Sequence, residues 1–154
     1  TSWLWLYKLA GKTQGSMFFN PAKYKAYSNS SFGTHKDEID VAAYTASDGK
    51  HYFLNPANKE TQNLFVADGM DYDASTMRTT KFIPLDAVNF DLAGDAELER
   101  MDFSKAVDKV EVTTGSVIGF ENQDGRRGIM NVKISSSIYP TIQCKFQAVA
   151  KKQE

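Results

Sequence analysis

The sequence lacks most of the residues by which a small domain declares its chemistry. Cys144 is the only cysteine, so an intramolecular disulfide is impossible and a zinc site built from paired thiolates is excluded. His35 and His51 are the only imidazoles, and neither has a neighbour at ligand spacing. A Ser-His-Asp arrangement would have to be assembled around one of them, and both read instead as polar residues in or beside a strand. The phosphate-cradling Gly-x-x-x-x-Gly-Lys-Thr loop and the dinucleotide Gly-x-Gly-x-x-Gly turn are both missing, so no cofactor is expected. Charge of one sign is missing too: 18 Lys+Arg oppose 19 Asp+Glu for a net −1, which supplies no field for neutralising phosphates. No nucleic-acid partner is expected. The longest apolar run, Trp3 to Tyr7, falls far short of the roughly 20 residues that cross a bilayer, so no membrane span is expected.

What remains is the composition of an ordinary globular domain. With 154 residues, 42% apolar and 24% charged, residues 1–154 read as one domain able to bury a core without a staple. A chain beginning at Thr1 reads as a processed or truncated product, with any leader or lipid attachment site out of view. Gln14-Gly15-Ser16-Met17 has the form of a tag-protease scar, which would make residues 1–16 vector-derived. Against that, Trp3, Trp5 and Tyr7 make a strand-like segment that few tags contain.

Trp3 to Leu9 is rich in large β-formers and reads as a strand buried on both faces, followed by the Ala10-Gly11-Lys12 turn. Ser16 to Phe19 continues likewise until Asn20-Pro21, and residues 22–34 read as a polar loop. In Glu38 to Thr45, the side chains of Ile39, Val41 and Ala43 fall on one face at period two. The Ser47-Asp48-Gly49-Lys50 turn then leads to His51 to Leu54, so the unit is a hairpin. Residues 56–80 read as a long surface connection. Helical character is confined to Pro84 to Val88 and Asp95 to Met101, with Asp95 as the expected N-cap.

The last third carries the clearest pattern. Val110 and Val112, Val117 to Phe120, then Met130, Val132 and Ile134 alternate with polar residues about the Asp124-Gly125 turn. After them Ile142, Cys144, Phe146 and Ala148 point inward, and Gln143, Lys145 and Gln147 outward. Four strands on short connections predict an antiparallel meander solvated on one face. Such a sheet needs a second one over its apolar side. The expected fold is all-β, a two-layer antiparallel β-sandwich (Ig-like or jelly-roll-like) with a short helical insertion near residues 85–103.

Candidate sites are few. Asp68, Asp71 and Asp73 crowd one loop and carry the oxygen ligands that Ca²⁺ takes, but the EF-hand order is not reproduced and a solvated acidic loop is the favoured reading. Tyr24, Tyr27 and Phe32 lie in one polar loop and Tyr72 in another. Exposed aromatic faces stack on sugar rings, although loop aromatics more often close the end of a core. Arg126-Arg127 beside the turn offers an anion contact, against the commoner role of guarding a strand end. Carboxylate pairs for glycoside hydrolysis depend on a separation in space that sequence does not show.

The stretch Val117-Ile118-Gly119-Phe120-Glu121-Asn122-Gln123-Asp124-Gly125-Arg126-Arg127-Gly128-Ile129-Met130-Asn131-Val132-Lys133 resembles the closing hairpin of small β-sandwich domains in secreted or lipid-anchored proteins of gut-type Gram-negative bacteria. Gly15 to Pro21 and Asp37 to Val41 look like their opening strands, and Thr80-Lys81-Phe82 like the segment before their short helix. The resemblance covers about residues 15–149 and would make Gly15 to Met17 native. Its motifs are structural, and no catalytic residue carries over. It implies an extracytoplasmic setting, at the cell surface or in the periplasm, often beside glycan-handling systems.

The sequence therefore predicts a non-catalytic binding or structural domain of an exported envelope protein, with a glycan or another envelope protein as partner. Tyr24, Tyr27, Tyr72 and Arg126 are the candidate contacts. Two competitors stand beside it: a small hydrolase using Asp or Glu of the loops between 56 and 104, and an interaction module that pairs through a strand edge.

Overall fold

Alternation decides the architecture. In a computed structural model that describes residues 3–135 and 139–150, nearly every run of β-forming residues pairs with another to bury its apolar side. The strands are β1 (Leu4–Trp5), β2 (Ser16–Asn20), β3 (Lys25–Ser28), β4 (Val41–Thr45) and β5 (His51–Leu54). Helix α1 (Lys59–Ala67) follows, then β6 (Thr80–Pro84), α2 (Asp95–Arg100), β7 (Lys109–Val112), β8 (Val117–Asn122), β9 (Arg127–Ser135) and β10 (Tyr139–Phe146). Short 3-10 turns lie at Phe32–Thr34, Lys36–Glu38, Ala74–Thr76 and Phe90–Leu92.

Two five-stranded sheets result, ordered β1-β10-β9-β8-β6 and β3-β2-β4-β5-β7, and every named pairing is antiparallel. Between them sits a core that includes Phe19, Val41, Phe53, Phe82, Phe120, Met130 and Ile142. The protein is an all-β sandwich. Gly49 and Gly125 turn the β4–β5 and β8–β9 hairpins at φ +86° and +78°, a region that side chains with a Cβ avoid.

Each sheet is also covered from outside. Over the β2–β4–β5 sheet, Phe65 of α1 packs with Phe18, Phe32, Leu54, Met70 and Tyr72. Over the β8–β9–β10 sheet, Phe90, Ala93 and Leu98 of the 85–103 segment pack on Ile129.

Several expectations are corrected. The 56–80 stretch is not a bare connection, because Asn58 caps α1 by accepting from Glu60 N and a 3-10 turn follows at Ala74–Thr76. No helix forms at Pro84 to Val88, where β6 ends. Helix α2 does form, capped by Gly94 with Asp95 as its first residue. Only Leu4–Trp5 of the first segment is strand, and it is not buried on both faces, since Leu6 and Lys8 are buried while Trp3 and Trp5 are exposed. The predicted four-stranded meander has three strands, because β7 pairs with β5 in the other sheet. Ile39 packs on the outer cluster while Val41 and Ala43 face the inner one. The inward alternation of β10 holds through Ile142 and Cys144, then reverses past the strand, where Gln147 is buried and Ala148 exposed.

Candidate functional site

At one end of the sandwich the two sheets do not close on each other with apolar side chains. Asn20 ends β2, Asp40 precedes β4 and Asn122 ends β8, and all three are buried. Asp40 is only 3% exposed, and a carboxylate that far from water must be paired. Its Oδ1 accepts from Arg78 Nε at 2.9 Å, and its Oδ2 from Asn122 Nδ2 at 3.0 Å. Arg78 Nη2 in turn donates to Asp124 Oδ2 at 2.7 Å. One guanidinium therefore ties the start of β4 to the β8–β9 turn. Burial nevertheless pushes the Asp40 carboxyl above its usual range, against the pull of Asn122 and Arg78.

Beside this pair lies a second carboxylate with many donors. Glu38 accepts from Lys23 Nζ at 2.6 Å and from Asn20 Nδ2 and Tyr27 Oη at 3.3 Å each, with His35 Nδ1 also at 3.3 Å. The hydrogen bond from Lys23 leads in holding the Glu38 carboxyl below the ordinary range. Both acids are paired with a cation and differ in burial, and they share one cleft of about 220 Å³, which Asn20, Lys23, Asp37, Arg78, Asp124 and Arg126 also line. That volume is below the roughly 300–1,000 Å³ of sites for drug-sized ligands and suits a group about the size of one sugar ring.

The rim is built under strain. Tyr24 is the one non-glycine residue with positive φ among those described, at +53°, in the turn that joins β2 to β3. A bulky residue there costs of order 1–3 kcal/mol and persists only where its surroundings impose it. Here they do: the Tyr24 ring meets Phe19 edge-on at 6.0 Å and its hydroxyl donates to Ile142 O at 3.4 Å. The same turn carries Lys23 to Glu38.

The sequence-predicted residues are spread over the molecule. Arg126 lines the cleft, its guanidinium 4.3 Å above the Phe146 ring and donating to Gln147 O from Nε and Nη2. Tyr27 reaches the cleft through Glu38, with one ring face stacked on His35 at 4.0 Å. Tyr24 sits behind the rim. Tyr72 lies elsewhere, 4% exposed among Phe18, Phe32 and Phe65 with its hydroxyl on Pro56 O at 2.5 Å, so its ring has no face to offer a ligand.

The acidic loop also disperses. Asp68 pairs with the buried ammonium of Lys8 at 2.6 Å, Asp73 caps the turn at Ala74–Thr76, and Asp71 is exposed. Among the described residues no group of three or more His, Cys, Asp or Glu is arranged to hold a metal ion. Of the other carboxylates between 56 and 104, Glu97 of α2 accepts from Gly94 N and Asp102 from Ser104 N. The acids that share the cleft come from residues 37–40 and 124 instead.

Sequence reasoning passed over Asp40, Glu38 and Arg78. The available signal was slight: an aspartate directly before the apolar run Val41-Ala42-Ala43 would be drawn under with it and would need a cation.

No protein-family model matches the chain, and no curated protein matches it in sequence. A crystal structure of a DUF4466 family protein from Parabacteroides merdae has the same fold, with a TM-score of 0.69 at 14% identity. The similarity covers 95% of this chain and 52% of that one, so the chain spans about half the neighbour's length. At that identity the likeness establishes the fold. Its source is a gut Gram-negative bacterium, the kind of organism to which the closing-hairpin resemblance pointed.

Proposed function

We propose that this sandwich is a non-catalytic binding domain of an exported envelope protein, and that the cleft between its sheet ends takes a hydroxyl-rich ligand, a glycan above all. One observation carries the reading: acceptors and donors both line a cleft whose floor, Asp40 with Arg78 and Asn122, is already held in place by its own hydrogen bonds. A site organised before binding loses little side-chain entropy when a ligand arrives. Vicinal hydroxyls each donate and accept, which is what neighbouring Asp37, Lys23 and Asp124 side chains ask of a partner. The strained turn at Tyr24 supports the reading, because strain retained at a rim needs a use. The envelope setting rests on the closing-hairpin resemblance.

The test is a glycan array followed by calorimetry on the binders. Lys23 and Asp124 have side chains 54% and 56% exposed, so Lys23→Ala and Asp124→Ala leave the core intact. Each is expected to weaken the best glycan about tenfold, roughly 1.4 kcal/mol. Absence of binding to every glycan offered would sink the sugar reading. Fractionation of the source organism, with the protein found in the cytoplasm, would remove the envelope setting.

A further inference from the structure

The exposed aromatic side chains that sequence reasoning sought in loops lie on and beside the first strand. Leu6 is fully buried and Leu4 packs on the inner core, while Trp3 and Trp5 stand outward with 38% and 48% of their surface exposed. Tyr7 meets Trp5 edge-on at 5.9 Å, which continues the strip. Trp5 pairs with Thr141, and Thr141 with Lys133, so these side chains share the outer face of the sheet. The Lys133 ammonium lies 5.8 Å from the Trp3 ring. In the next row Gln143 pairs with Asn131. The segment that carries α2 covers this sheet farther along, around Ile129 and Lys145, and reaches back to Val117 beside Asn131 without covering the β1 edge.

We propose that this face is a second carbohydrate contact, distinct from the cleft, and that it takes an acidic polysaccharide chain lying flat across β1, β10 and β9. Indole faces suit the C–H surface of sugar rings, and the Asn131 and Gln143 amides, which bond each other at 3.5 Å, give the face a polar row beside them. The only formal charge among the outward side chains of these rows is the ammonium of Lys133, which favours a uronate-bearing polymer over a neutral or basic one. A second copy of the chain fits poorly. Two indoles exposed by less than half offer on the order of 200 Å², against roughly 800 Å² per partner in a stable interface. The proposal extends the glycan reading, but its site is separate: it lies on the outer face of the sheet and shares no residue with the lining of the cleft.

Trp3 and Trp5 are the only tryptophans in the protein, so indole fluorescence reports this face and not the cleft. The experiment titrates the intact chain with a linear polyuronate and with a neutral glucan of equal length, following fluorescence and gel retardation. The expected result is a fluorescence change with the polyuronate alone, weakened at least tenfold by Trp5→Ala. Lys133→Gln, which leaves the aromatic strip in place, should weaken it severalfold and flatten its dependence on salt, while Lys23→Ala leaves it unchanged. Polyuronate binding that Lys23→Ala abolishes and Trp5→Ala spares would overturn this proposal and leave the cleft reading standing. Equal binding of the neutral glucan, or indifference to Lys133→Gln, overturns the acidic assignment. Silence toward both polymers, or a fluorescence change that tracks protein concentration and self-association, overturns the face as a sugar site.

Discussion

The two outer covers of the sandwich are held by different physics. Over the β2–β4–β5 sheet, α1 and its flanking turns are fixed by aromatic burial, with Phe18 and Tyr72 each in ring contact with the other and with Phe32 and Phe65 at 4.5–6.1 Å. Over the other sheet, the 85–103 segment has a smaller apolar cluster and is pinned by two cations. Arg127 Nη1 lies within 3.0 Å of the carbonyls of Leu98, Glu99 and Met101, at the open end of α2, and its Nε donates to Glu121. Lys145 Nζ donates likewise to the carbonyls of Phe90, Asp91 and Ala93. A six-residue helix leaves most of its carbonyls without intrahelical partners, and the guanidinium rising from β9 satisfies those of Leu98 and Glu99, while the ammonium from β10 serves the 3-10 turn at Phe90–Leu92 and the residue after it. Burial gives a cover that fails with the core. Pinning gives one that can open alone.

The largest expected effect breaks the first cover. Phe65→Ala removes a fully buried ring and should cost about 3–5 kcal/mol in denaturant unfolding, with the whole domain melting in one transition. Arg127→Ala should cost less, about 2–3 kcal/mol for its charged hydrogen bonds, and the loss should be local. Amide hydrogen exchange would speed up across residues 95–103 while residues 59–67 keep their protection. Uniform acceleration in both covers would erase the distinction. The smallest effect is acid sensitivity. Hydrogen bonds from Gly94 N to Glu97 and from Ser104 N to Asp102 hold both carboxyls below their usual range. A carboxyl depressed in the folded state contributes stability above its unfolded pKa, and that contribution is lost as pH falls toward the folded value. Exchange at residues 94–104 should therefore quicken on acidification below about pH 4.5, the ordinary glutamate range, and Glu97→Gln should blunt the change.

The same contrast explains what could be read in advance. The hairpins β4–β5 and β8–β9 and the face assignment of Met130, Val132, Ile142 and Cys144 follow from alternation and Asp-Gly turns, because a strand solvated on one side writes its faces into neighbouring residues. Helix α1 was hidden because it buries only Thr61 and Phe65, a single i, i+4 step that sets up no period. In β2, an irregular register between Ser16 and Phe18 places Met17 and Phe18 in the same outer cluster, and no alternation survives to be read. The candidate cleft was less legible still. Arg126 was visible beside its turn, whereas Asp40, Arg78 and Asn122 gain meaning only together, and the first and last of them are 82 positions apart.

By itself the sequence determined that the chain forms amphipathic strands, where its tight turns fall, and that no paired cysteines assist it, since each of these is fixed by composition or by residues a few positions apart. Tertiary structure alone decided that β7 joins the opposite sheet, that the indoles of Trp3 and Trp5 face outward, and that Asp40 is buried against Arg78. Those outcomes depend on which distant surfaces pack together, and an alternating strand has the same pattern whichever sheet it enters.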